Sequence, residues 1–480
     1  DVAIIDATNT TQSEVSVFVN PLDDNKVLNT NNSTDSPVSQ VYGASGFMSA
    51  DGGLNWSGSV LGTGGPNGGD PAAAINLLGR YHYGYIADNG GNGAAWSDDE
   101  GVTWVDVQVA PNPGSLADKN HLWVDNSPTS PYEGHVYAAY TDFSGANDAN
   151  IVIHTSTDRG ASWGTGVNIS NTLPGFHQGV HIQTDANGVV YAFYTVYTSG
   201  GVTDEPAIGM TRSFDGGTTW DTEQIIINGI RGIRSTGTLK NHRVAAFPVS
   251  AIDITGGARN NNIYVVWNNI GVPPSNTGPG INVLMISSSD GGNTWSSPTV
   301  VNQDDPADGN ENYFPWIACD PVTGALRIVF YSDRNVASTD CEAFAANSLD
   351  GGATWEDFKI SDVSFTPAPI PGLAGGYMGD YLGIASRGAK VYPIWADNRS
   401  GPVLAYTSPY ILADPDDPNS PAAVNAYSDF NTPTSIELTW DDPTSLVDGT
   451  PILPGNFTIE IERDGSFLTS VNGGVENYND

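Results

Sequence analysis

Asp70, Asp142, Asp333, Asp380 and Asp397 each flank a short strand-like run, and Tyr381 follows Asp380 directly. Lys119, His177, His242, Arg243, Arg334 and Arg399 occupy the same kind of position. Cations are scarce, 17 Lys and Arg against 54 Asp and Glu, so those beside the runs carry information. Two carboxyl groups flanking one bond suit glycoside hydrolysis, one as acid and the other as nucleophile or base. The five aspartates are the candidates for that work. A cation beside histidine or tyrosine suits lyase chemistry, in which a uronate carboxylate is neutralised while the neighbour moves a proton. His177, His242, Tyr313 and Tyr381 are the candidates there. A third reading leaves these charges solvating loops or pairing with one another. The sequence supplies the parts of each arrangement but not their separations.

The formal net charge is −37 over 480 residues. A nucleic-acid partner needs a basic face, which so acidic a chain does not offer. The acidity suits solubility or a saline setting. Some carboxylates are also candidates for a structural calcium ion, at the channel or at Asp414, Asp416 and Asp417. No other cofactor is required. No apolar stretch approaches the ~18 residues of a membrane helix. The chain opens on the strand-like Val2, Ala3, Ile4 and Ile5 without an initiator Met, as expected of a secreted protein whose signal has been removed.

What must position the candidate residues is a repeat. The octet SSDGGNTW at 288–295 returns as SADGGLNW (49–56), SDDEGVTW (97–104), STDRGASW (156–163), SFDGGTTW (213–220) and SLDGGATW (348–355). Ser, Asp, Gly and Trp keep their offsets, and six of the 12 Trp residues lie in these copies, so the pattern is structural and periodic. Asp bonding backbone two residues on, Gly with positive φ, and Trp opening the next strand describe a hairpin turn. The octet aspartates are therefore turn-formers rather than catalytic acids. They recur at spacings of 48, 59, 57, 75 and 60 residues. Each interval reads as four antiparallel strands, clearest at 121–170. A seventh unit, DYLGIAS, KVYPIWAD and VLAYTSPYIL, has three strands and no octet, and VAIIDA at 2–7 is expected to complete it. The fold class is all-β, a seven-bladed propeller over 1–412 with six blades as the alternative. Cys319 and Cys341 then fall on the first and third strands of one unit, about 10 Å apart, and are expected as free, buried thiols. A linker follows at 413–421, and 422–480 reads as a small β-sandwich, incomplete at 480.

The octets resemble Asp-boxes (BNR repeats), the hallmark of the sialidase superfamily of β-propellers, over residues 1–412. VYPIWADNR at 391–399 and YSDR at 331–334 resemble stretches of secreted bacterial repeat proteins often labelled sialidase-like. The segment 422–480 resembles a fibronectin type III domain, with Trp440 in its core position. The family implies ligand binding at one channel mouth, at the loops before each innermost strand and after each second strand, opposite the boxes. All the candidate residues above fall there. The insertion at 227–243 adds Arg231, Arg234, Lys240 and Arg243, a basic patch suited to carboxylate or sulfate groups. A sialidase also carries three arginines, the first in an Arg-Ile-Pro motif. That motif is absent, and only Arg334 and Arg399 are candidates for the clamp. The resemblance thus implies an extracellular, sialidase-like protein that engages an anionic polysaccharide or glycoconjugate, as a glycoside hydrolase. A non-catalytic surface or adhesion module is the second reading and a polysaccharide lyase the third. A continuation beyond 480 is expected to carry cell-surface attachment.

Overall fold

The computed structural model describes the chain apart from residues 6–9, 61–66, 198–203, 235–236, 413–417, 420, 429–434, 447–449, 464–465 and 480. Asp414, Asp416 and Asp417 lie outside the described residues. Two compact units are present, Asp1–Tyr410 and Ile411–Asp480.

Among its described residues, the first unit holds seven antiparallel sheets. Six are four-stranded and run in chain order, as in Leu116–Val124, Val136–Phe143, Ile151–Ser156 and Val167–Asn168. In the seventh, Gly383–Arg387, Lys390–Asp397 and Leu404–Thr407 are joined by Val2–Ala3, which pairs Val2 with Thr407 and Ala3 with Tyr406. The first strands of successive sheets pack side by side in a closed circuit, the seventh against the first. This all-β arrangement is consistent with a β-propeller.

Its core lies between neighbouring sheets. Tyr137, Ala139 and Ile153 of the third pack on Ile182, Ala192 and Tyr194 of the fourth. Inner strands are therefore covered on both faces, and sequence alternation fades. Val136–Phe143, which reads as alternating, is buried at every residue but Phe143.

Each octet closes a turn between the third and fourth strands. In one copy Ser288 Oγ donates to Asp290 Oδ1 at 2.8 Å and accepts from the Gly292 amide at 2.9 Å. Thr294 donates to Asp290 through its amide at 2.9 Å and its hydroxyl at 2.6 Å. Gly292 sits at φ 84°, where a side chain is strained. The Trp295 indole donates to the Gly292 carbonyl at 3.2 Å. Ser288 is buried and also accepts the Asp290 amide at 3.4 Å, so Ser288→Ala removes three bonds and leaves the buried Gly292 amide without its acceptor. The expected loss is about 1–2 kcal/mol of unfolding free energy, read by urea titration.

Cys319 and Cys341 are free thiols, the second buried and the first half-buried rather than fully so. Cys319 pairs with Leu326 and Cys341 precedes Glu342, which pairs with Ser332. They therefore stand at opposite ends of the sheet.

The second unit contains a three-stranded sheet, Ala422–Tyr427, Glu437–Asp441 and Asn477–Asn479, and the hairpin Thr458–Arg463 with Ser466–Asn472. Trp440 is its buried indole, 6% exposed, donating to Asp442 at 2.9 Å.

Candidate functional site

Five of the first strands break register at one equivalent place, between Ser13 and Ser16, Gly69 and Ala72, Asp118 and His121, Gln178 and His181, and Tyr313 and Trp316. The extra residue of each bulge has positive φ: Glu14 53°, Asp70 55°, Lys119 52°, Gly179 73° and Phe314 55°. Four of the five are not glycine, and each such residue costs roughly 1–3 kcal/mol. Bulges re-aim side chains and are common beside functional sites. Here they bring Glu14, Asp70 and Lys119 from three adjacent sheets into one cavity of about 280 Å³.

Asp118, Arg234, Arg243, Tyr377 and Asp380 complete the charged and phenolic wall of this cavity. Asn32 ties it together. Its side-chain amide donates to Glu14 Oε2 at 2.7 Å and to the Tyr377 hydroxyl at 2.9 Å, and its oxygen accepts the Asp70 amide at 2.9 Å. Asp70 Oδ2 accepts the Lys119 amide at 2.9 Å. Gln178 donates to Asp118 at 2.7 Å. Arg243 holds Asp380 with both arms of its fork, at 3.0 and 2.6 Å.

The carboxyl groups differ in charge state. Burial and then the Asp70 carboxylate push Glu14 well above the usual carboxyl range. Burial, with Asp70 again second, pushes Asp118 up to about 6. Burial alone would raise Asp380 as well, but Arg243 and Lys119 outweigh it and hold that carboxyl below its ordinary value. The Lys119 ammonium is buried and has no hydrogen-bond partner among the described residues. It rests 3.6 Å from the centre of the Tyr381 ring and 5.4 Å from that of Phe247.

A second, smaller pocket shares Lys119 and Asp380 with this wall and is lined by Phe247, Trp316 and Tyr381. His121 and His181 meet there with centroids 4.1 Å apart and ring planes tilted by 37°. Burial, then Lys119, lowers His121 to about 3, and burial lowers His181 well below its usual value, so both are neutral. An apolar chamber of about 140 Å³ lies beyond, lined by Phe18, Trp123 and Ile317 among others.

Of the residues singled out in the sequence, Asp70, Lys119, Arg234, Arg243 and Asp380 meet at the cavity, with Tyr381 beneath Lys119. The Tyr381 hydroxyl is committed to the Pro71 carbonyl at 2.9 Å. The others lie elsewhere, in local structure. Asp142 caps its own loop through the Gly145 and Asn147 amides at 2.8 and 3.0 Å. Asp333 joins a buried ion pair with Lys240 at 2.8 Å. Asp397 and Arg399 pair with each other at 2.6 Å, and Arg399 also reaches Asp1. Arg334 pairs with Asp304 and Asp357 at 3.2 and 2.7 Å. His177 is fully buried, bonded to Asn150 at 3.1 Å, and His242 bonds Tyr313 at 3.0 Å with burial lowering it to about 4. Glu14, Tyr377 and Asn32 are the residues that sequence reasoning passed over. Among the described residues no group of three or more His, Cys, Asp or Glu is placed to hold a metal ion. Among the described residues no helix is long and apolar enough to cross a membrane.

No protein-family model matches the chain. A stretch of 123 residues is 32% identical to xyloglucanase Xgh74A of Acetivibrio thermocellus, covering 23% of this chain and 14% of that enzyme. The match thus spans about a seventh of the curated relative's length. Among solved structures the chain is similar to an ulvan lyase bound to a glucuronate–rhamnose sulfate unit (TM-score 0.46, 11% identity, 85% of this chain and 98% of that one). It is also similar to an α-L-arabinanase of Penicillium chrysogenum (0.42, 15%, 69% and 94%) and to the Hadza microbial sialidase Hz136 (0.40, 16%, 71% and 65%).

Proposed function

We propose that the first unit is a seven-bladed Asp-box propeller whose channel mouth hydrolyses glycosidic bonds in an extracellular, acidic glycan. On this reading the second unit is a fibronectin type III-like module of a secreted or surface-attached protein. The observation that carries the activity is one cavity that brings Glu14, Asp70, Asp118 and Asp380 together beside an ammonium without a hydrogen-bond partner among the described residues. Environments that push neighbouring carboxyl groups apart are how one site keeps an acid and a base together.

Asp118 is assigned as the acid that protonates the leaving oxygen, and Asp70 as the base or nucleophile. Asp380 has both oxygens in the Arg243 fork and shapes the wall. Lys119 binds the carboxylate or sulfate of the sugar, because a buried ammonium left without an acceptor is costly. The lyase reading loses support from the commitment of the Tyr381 hydroxyl to Pro71 and from the burial of His177 and His242 away from the cavity.

The test is mass spectrometry of uronate-containing, sulfated and sialylated oligosaccharides incubated with the protein. Products that together have gained one water support hydrolysis. An unsaturated uronide means elimination, and a panel returned intact removes the enzymatic reading in favour of a binding module. For a cleaved acidic glycan, Lys119→Met is expected to raise KM roughly tenfold or more with kcat little changed, since a charge-assisted bond contributes about 1.5–3 kcal/mol. Equal loss with a neutral analogue would remove the assignment of Lys119.

A further inference from the structure

In the third and fourth sheets the residue that restores register after the bulge is a histidine, His121 and His181. They are 7% and 3% exposed, and both line the smaller pocket as well as the apolar chamber. Each ring is pinned by the next inner strand. His121 Nδ1 accepts the Ile182 amide at 3.2 Å. His181 Nδ1 accepts the Ser250 amide at 3.3 Å and lies 2.9 Å from the Ser250 hydroxyl. A ring nitrogen that accepts an amide carries no proton, so each neutral ring has its proton on Nε2. In neither ring does Nε2 have a hydrogen-bond partner among the described residues. A metal would need a lone pair on that nitrogen, so the two rings offer donors rather than ligands. Donors left unpaired in a buried place are costly. The chamber beside them is apolar, with Phe18, Trp123, Trp316, Ile317 and Ile384 in its wall. Its volume of about 140 Å³ is close to the ~150 Å³ of an apolar cavity that holds one benzene ring. Arg387 is the one Lys or Arg in that wall, at the end of its strand in the turn to Lys390.

We propose that the chamber binds an uncharged aromatic carbonyl compound, its ring among the indoles and aliphatic side chains and its oxygen accepting the Nε2–H groups of His121 and His181. A carbonyl oxygen has two lone pairs, and the two imidazole centroids are 4.1 Å apart. The imidazoles carry no counter-charge, which disfavours a carboxylate at the same place. This site is distinct from the acidic cavity and does not rest on the hydrolytic reading above.

The test is calorimetric titration with acetophenone and with ethylbenzene, which has nearly the same shape without the oxygen. His181→Phe keeps a ring and removes one donor. It is expected to weaken acetophenone about fivefold or more and to leave ethylbenzene within about twofold. Ala318→Leu, which fills part of the chamber, is expected to abolish binding of both. Long-range proton–nitrogen spectra of histidine-labelled wild type read the donors directly. Both rings are expected to carry the proton on Nε2, and acetophenone to shift both of those resonances. No binding of acetophenone, equal loss of the two ligands in His181→Phe, or a proton on Nδ1 of either ring overturns the proposal. Benzoate bound as tightly as acetophenone places the oxygen at a cation, Arg387 or Lys119, and overturns it too. If His181→Phe does not fold, the wild-type spectra still decide.

Discussion

Lys240→Met is expected to destabilise the first unit by about 3–5 kcal/mol, measured as the shift of the urea unfolding curve, because it leaves two buried carboxylates without their cation. The Lys240 side chain is 0% exposed, and its ammonium bonds Glu311 at 2.6 Å and Asp333 at 2.8 Å, whose side chains are 6% and 5% exposed. The backbone reinforces the cluster: the Glu311 amide donates to Asp333 at 2.7 Å and the Leu239 amide to Glu311 at 2.8 Å. Methionine fills much of the space and replaces no donor. Combining it with Glu311→Gln and Asp333→Asn should recover part of the loss, since the penalty comes from unpaired charge rather than a void. A cost under about 1 kcal/mol would mean that water reaches the cluster, as for an exposed pair. The effect also bears on the site. Lys240 pins the long insertion three residues before Arg243, whose fork holds Asp380 at the cavity wall.

The octets made the repeat legible because turn chemistry is local: Ser, Asp, Gly and Trp at fixed offsets define a hairpin whatever surrounds it. The all-β character and the four-stranded sheets followed from the same spacing. The site was legible only in part, and the reason is geometric. Asp70 and Asp142 both flank strand-like runs, yet one reaches the cavity and the other bonds the amides of its own loop. Residue type cannot separate them, since an aspartate capping a loop and one facing a ligand differ only in what lies within 3 Å. Arg334 and Arg399 were likewise indistinguishable from Arg243 until their partners Asp357 and Asp397 were placed. Glu14 was missed for a different reason. It lies inside the run TTQSEVSVFV and reads as an interior strand residue. What marks it is the bulge it shares with Asp70, Lys119, Gly179 and Phe314, positions with no residue type in common.

Asp70→Asn is expected to lower kcat by about 10³-fold at every pH, within the 10²–10⁴ range for losing a positioned proton-transfer or nucleophilic group. Asparagine keeps an oxygen for the Lys119 amide, so the bulge and the fold should survive, and circular dichroism should be unchanged. The pH profile then tells this residue from its neighbour. Burial and Asp70 set Asp118 near 6, and an acid works only while protonated. Wild-type kcat should therefore fall about tenfold per unit as pH rises above about 6. Asp118→Asn should lose that limb and leave a low, flat rate. Asp70→Asn also removes the like charge that raises Asp118, so its residual activity should keep a limb displaced to lower pH. The double variant should be little worse than the poorer single one, because residues acting as a unit are not additive. Asp142→Asn, beside the wrong loop, should leave both rate and profile untouched. If instead Asp70→Asn and Asp142→Asn behave alike, the cavity is not where the bond is broken, and the charge states of its walls serve binding alone.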